Sequence, residues 1–221
     1  MKKALVLTVF CLCLLMLPKA HALDGVEVLS GYLDAHLDHT QKNYQAVPLL
    51  VGLIFDMKPL TSKIGLNPKG RIDFILEPFI NTVMTPNSNV EVGSDFLLQY
   101  AFPLTEKIQP YVKGGLGVLY MSQHTLEQST QYNFLPQGAA GVRYFIKDNI
   151  ALDLEYRYRH LSNAALKHPN SGIDANMYMG GITIFFDKGK TPGTSAKENA
   201  NTSAATNTKE DATQNTQSPN N

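Results

Sequence analysis

The chain has 221 residues, enough for one domain, with 19 basic and 19 acidic side chains and no net formal charge. That balance excludes a nucleic-acid partner held by electrostatics. Hydrophobic residues make up 43% of the chain and only the N-terminus carries a long apolar run, which excludes a polytopic helical membrane protein.

The N-terminal run reads as a signal peptide over residues 1–22. Lys2 and Lys3 form a basic start, Ala4 to Leu17 an apolar stretch, and Ala20-His21-Ala22 a small-x-small cleavage site after Pro18. Cleavage removes Lys2, Lys3 and Lys19 and no acid, leaving 16 bases against 19 acids. It also removes Cys11 and Cys13, the only two cysteines, so the exported chain has no disulfide, thiolate metal site or cysteine nucleophile.

Residues 23–187 repeat one theme. Stretches of about ten or more residues alternate apolar and polar and are split by turn residues. Eight strands are predicted, over 25–36, 44–57, 70–84, 89–103, 108–122, 132–147, 149–163 and 176–187. In the third, Ile72, Phe74, Leu76 and Ile80 oppose Arg71, Asp73, Glu77 and Asn81. In the fourth, Val90, Val92, Phe96, Leu98 and Tyr100 oppose Glu91, Asp95 and Gln99. In the seventh, Ile150, Leu152, Leu154, Tyr156 and Tyr158 oppose Asp153, Glu155, Arg157 and Arg159. Successive strand residues point to opposite faces, so each set is a surface. The polar faces carry both signs of charge and can pair with one another. An ionic interior and an apolar exterior predict an all-β fold, an eight-stranded antiparallel transmembrane β-barrel plugged by its own side chains rather than a channel.

The second segment breaks the pattern, since Leu50 and Ile54 lie opposite Val47, Leu49, Val51, Leu53 and Phe55. Lys147-Asp148-Asn149 is a short turn. The longer polar stretches at 36–43, 85–88, 122–132 and 163–176 are expected together at the other end of the barrel. Tyr100, Tyr120, Tyr144 and Tyr178 read as an aromatic girdle. Residues 188–221 hold Ser, Thr, Asn, Ala, Gln, Lys and Glu with almost no large apolar side chain, so a disordered tail is expected there.

The stretch with chemistry in it is Tyr156-Arg157-Tyr158-Arg159-His160-Leu161-Ser162-Asn163, followed by Pro169-Asn170-Ser171-Gly172-Ile173-Asp174. His160 and Ser162 are two apart and share a face, the apolar one that looks toward lipid near the rim. Asp174, returning on the eighth strand, can reach the same rim. By spacing alone two readings stay open: polar residues of the rim, or a nucleophile with its base and an orienting acid. His36 and His39, beside Asp34 and Asp38, read as a solvated loop rather than a metal site.

His-x-Ser-Asn, a short loop, then Pro-Asn-x-Gly-x-acid at the close of an eight-stranded barrel resembles the PagL-type lipid A 3-O-deacylases. The specific match covers 160–174 and the looser one 23–187. The resemblance implies His160 and Ser162 as catalytic residues and Asp174 at the family's Glu position. It implies Asn170 as an oxyanion donor, with Asn163 a second candidate. It further implies a bacterial outer-membrane enzyme that takes an ester-linked acyl chain from lipid A of lipopolysaccharide without metal or organic cofactor. Asp174 is one methylene shorter than Glu, and the tail is foreign to the family pattern. Two rivals remain: a non-enzymatic adhesin-like or structural barrel, and an esterase or phospholipase acting on another lipid.

Overall fold

A computed structural model describes residues 23–39, 42–123 and 125–186. The expected signal peptide with both cysteines, the expected disordered tail and His124 lie outside the described residues.

The alternating pattern closes on itself. Eight strands run β1 (Gly25–Leu37), β2 (Lys42–Asp56), β3 (Arg71–Thr85), β4 (Asn89–Ala101), β5 (Ile108–Met121), β6 (Tyr132–Lys147), β7 (Ile150–Leu161) and β8 (Ile173–Phe185). Each pairs antiparallel with its sequence neighbours, and β1 closes the barrel on β8 from Gly25 opposite Phe185 to Ala35 opposite Ala175. Closure leaves no strand edge with unpaired backbone groups, which a bilayer would not tolerate.

The two faces are inverted relative to a soluble barrel. Leu49, Ile80, Leu98, Leu116, Leu154 and Ile182 are exposed on the outside. Inside, Arg143 bonds Glu27 and Asp153 at 2.9 and 2.8 Å, and Lys113 sits between Glu27 and Glu155. Arg157 gathers Glu77, Asp95 and Glu155, and Arg159 bonds Glu91 at 2.8 Å. All these ionic side chains are buried. Such pairing offsets the cost of taking charge out of water, and it fills the lumen.

The interior is less uniformly ionic than expected. Apolar layers bracket the charges: Leu37, Val83, Met121, Leu161 and Ile173 toward one end, and Ile54, Ile75, Leu97, Phe145 and Phe185 toward the other. The irregular second segment is accounted for in this way. Leu50 and Ile54 face inward as members of these layers, 1% and 0% exposed.

The β1–β2, β3–β4, β5–β6 and β7–β8 connections share one end of the barrel, as expected. The opposite end is not uniformly short. Between β2 and β3 it carries a helical turn, α1 (Lys58–Thr61), and a 3-10 turn over Ser62–Ile64 that ends at Gly65 in the left-handed region. Strand β8 begins at Ile173, three residues earlier than expected. Tyr178 therefore sits at mid-strand opposite Tyr156 rather than in a girdle at the rim.

Candidate active site

Strands β7 and β8 bring the motif together by register. His160 is the penultimate residue of β7, and its cross-strand partner is Asp174. The His160 Nδ1 lies 2.6 Å from Asp174 Oδ1, so the aspartate reaches the ring without a shift of the loop. The two side chains are 39% and 58% exposed and face outward, in line with Tyr156 and Tyr158. Tyr158 lies near the Asp174 carboxylate as well.

Ser162 follows directly after the strand. Its main chain is pinned to β6 by two bonds, Phe134 N–H to Ser162 O at 2.7 Å and Ser162 N–H to Phe134 O at 3.0 Å. This bridge carries the strand parity one step past the end of β7, so Ser162 keeps the face of His160. The two side chains do not hydrogen-bond in this structure. Such a bond is often long before substrate is bound.

The loop 162–172 is held from within and from the β5–β6 connection. Asn163 is fully buried. Its Nδ2 donates to Lys167 O at 2.8 Å inside the loop and to Ser129 Oγ at 3.3 Å in that connection, so both amide protons are engaged. Its main-chain N–H donates to Asn170 Oδ1 at 2.8 Å. With that oxygen occupied, the NH2 of Asn170 is the side of the amide left to meet a substrate. Ala164 and Ala165 have φ of 53° and 58°, a left-handed conformation costing of order 1–3 kcal/mol per residue, which these bonds must offset.

Gly172 is the site residue to which sequence reasoning gave no role. Its φ is 84°, and a Cβ there would stand 2.5 Å from His160 Cε1 and 3.1 Å from Nε2. The bare backbone is what lets the imidazole lie against the loop. The Pro-Asn-x-Gly spacing carried that signal, since a glycine fixed before a strand marks a close approach.

Below the site the outer wall is dished. Gly138 and Ala140 of β6 stand opposite Tyr158 and Tyr156 of β7, so small residues run beside large ones. A shallow, open trough lies against Ala140, Val142, Leu154, Tyr156, Tyr178 and Gly180. Its lining is mostly apolar, and Tyr156 bonds Asn176 Oδ1 at 2.7 Å, which fixes one wall.

Elsewhere, His36 lies within β1 opposite Asn43 rather than in a loop, and His39 follows in the β1–β2 connection. Among the described residues no three His, Cys, Asp or Glu side chains are placed to bind an ion. The His39 backbone N–H instead donates to Glu127 at 3.2 Å.

A family model described as lipid A 3-O-deacylase (PagL) matches residues 29–183. No curated protein sequence matches the chain. Among solved structures, the outer membrane enzyme PagL is 18% identical, with 72% of this chain and 98% of that one covered and a TM-score of 0.47. Neisserial surface protein A is 13% identical, with 76% and 100% covered and a TM-score of 0.51, a likeness of fold. The N-terminal β-barrel domain of Pseudomonas aeruginosa OprF is 13% identical, with 75% and 100% covered and a TM-score of 0.44.

Proposed function

This chain belongs to the lipid A 3-O-deacylase (PagL) family of the bacterial outer membrane, and from that premise we propose that it is a serine esterase that removes the ester-linked acyl chain at the 3-O position of lipid A. The observation that carries the proposal is the outward-facing His160–Asp174 pair, two residues from Ser162, above an apolar trough in the lipid-facing wall.

The chemistry follows from the hydrogen bond. His160 Nδ1–H donates to Asp174, which leaves the lone pair on Nε2. Nε2 takes the Ser162 proton as Oγ attacks the ester carbonyl. Asn170 Nδ2 donates to the oxyanion that forms. The C–O bond to the sugar then breaks, and the imidazolium returns its proton to the departing alcohol. Water, activated by the same imidazole, cleaves the acyl-serine and releases the fatty acid.

A polar pair on a lipid-facing wall costs free energy unless it is paired or near the interface, and it has a use where a substrate arrives laterally through the membrane. Lipid A does so. Its acyl chain would lie in the trough, between the small residues of β6 and the tyrosines of β7 and β8. Asn163, whose amide protons are engaged by Lys167 and Ser129, serves this scheme as a loop anchor, and the oxyanion role falls to Asn170.

The test is mass spectrometry of lipid A after incubation with detergent-folded protein. Loss of one ester-linked hydroxyacyl chain is expected. Loss of an acyl chain from glycerophospholipid alone would point to the phospholipase rival instead.

A further inference from the structure

The connection between β5 and β6 is built into the site. Ser129 N–H donates to Pro169 O at 3.1 Å, and Ser171 N–H donates to Glu127 O at 2.9 Å. Between those bonds Gln128 and Asn170 face each other as an antiparallel bridge pair. Residues 127–129 and 169–171 thus form a short two-stranded ribbon above the barrel rim.

Gln128 is buried although it lies in a rim loop, 1% exposed. Its main-chain N–H donates to Thr125 Oγ1 at 3.1 Å, and its Nε2 donates to Leu161 O at 3.3 Å. Leu161 directly precedes Ser162. The Gln128 side chain therefore ties the residue before the nucleophile to segment 127–129, and the main chain of that segment is bonded to the one that carries Asn170. Its neighbours brace the same joint. Ser129 Oγ accepts from Asn163, and Glu127, also 1% exposed, accepts from the His39 backbone N–H of the β1–β2 connection.

A polar side chain is buried at a cost that only specific bonds offset. Here the Gln128 Nε2 bond runs to the end of β7, and the main-chain bonds of residues 127 and 129 run to 171 and 169; the separation of these two segments sets the distance from Ser162 to Asn170. An oxyanion donor works only when it is held where charge will develop, and a misplacement of about 1 Å can cost about 100-fold.

We propose that Gln128 is a positioning residue for ester hydrolysis, acting through Asn170: it fixes the ribbon 127–129/169–171 against the end of β7, and so fixes the Asn170 amide relative to Ser162. The proposal rests on the oxyanion role given to Asn170 above.

The experiment is a double-mutant cycle on the full barrel folded in detergent. Wild type, Gln128→Ala, Asn170→Ala and the double variant are compared for kcat and KM on lipid A. Folding is scored by heat-modifiable gel migration. Gln128→Ala is expected to lower kcat by about 10- to 100-fold while KM stays within about twofold. In the Asn170→Ala background the same change should cost less than about twofold, because the group it positions is already gone. Equal losses in both backgrounds would overturn the proposal, as would an unchanged kcat in Gln128→Ala alone. Failure of Gln128→Ala to fold would overturn it too, by making Gln128 a residue of barrel stability. An inactive wild type, or an Asn170→Ala variant as active as wild type, would bring down the underlying reading of the site and the proposal with it.

Discussion

His160 and Asp174 are direct cross-strand partners, and the 2.6 Å between Nδ1 and Oδ1 spans two neighbouring strands of a closed sheet rather than two mobile loops. The orientation of the imidazole is thereby tied to the register of β7 and β8. Replacing Asp174 with Asn keeps the shape but lets the amide favour the wrong tautomer. Asp174→Asn should lower kcat by about 100-fold or more, with KM little changed and the barrel folded. Steady-state kinetics on lipid A checks this, and a loss below about threefold would mean that the carboxylate does not orient the base.

Gly172 meets the other side of the same ring. Gly172→Ala places a methyl within 2.5 Å of His160 Cε1 at a φ of 84°, where an L side chain is already strained. The ring must move. A loss of at least about tenfold in kcat is expected, against a stability cost of only about 1–2 kcal/mol. Kinetics and a urea titration on the same preparation separate the two effects.

The ionic lumen makes a prediction about stability alone. Arg157 is the shared partner of Glu77, Asp95 and Glu155, all buried. Arg157→Ala strands Glu77 and Asp95, leaves Glu155 to Lys113, and should cost about 3–5 kcal/mol, read as a lower midpoint for unfolding in urea. The side chain points into the lumen, so the kcat of the folded fraction should stay near wild type.

Trough shape should govern the fit of the acyl chain. Ala140 lines the trough opposite Tyr156. Ala140→Leu fills that space and should raise KM for long-chain substrates by about 5- to 150-fold, at about 1–3 kcal/mol of lost contact, and spare short-chain esters. A series of acyl lengths assayed side by side will show whether the loss grows with length.

Much of this was legible in the sequence because a strand has a period of two. The alternation in β3, β4 and β7 separates lipid-facing from lumen-facing residues, and it puts His160 on the outer face with Tyr156 and Tyr158. What parity cannot carry is contact between distant loops. Nothing in the local pattern of Gln128 signals its pairing with Asn170, and the buried state of Asn163 depends on Ser129 from another connection. Leu50 and Ile54 broke the alternation because the lumen has apolar layers as well as charges, a property of the closed barrel and not of any one strand. The expected start of β8 lies three residues late because Asp174 and Asn176 read as part of the polar stretch before it. Pairing with β7 extends the strand back to Ile173.

The central claim is that Ser162 is the nucleophile of a lipid A deacylase. The most direct measurement is mass spectrometry of lipid A incubated with the folded wild type and with Ser162→Ala. The account predicts loss of one 3-O-linked hydroxyacyl chain with the wild type and none with the variant. Equal deacylation by both proteins, or none by a folded wild type, would contradict it.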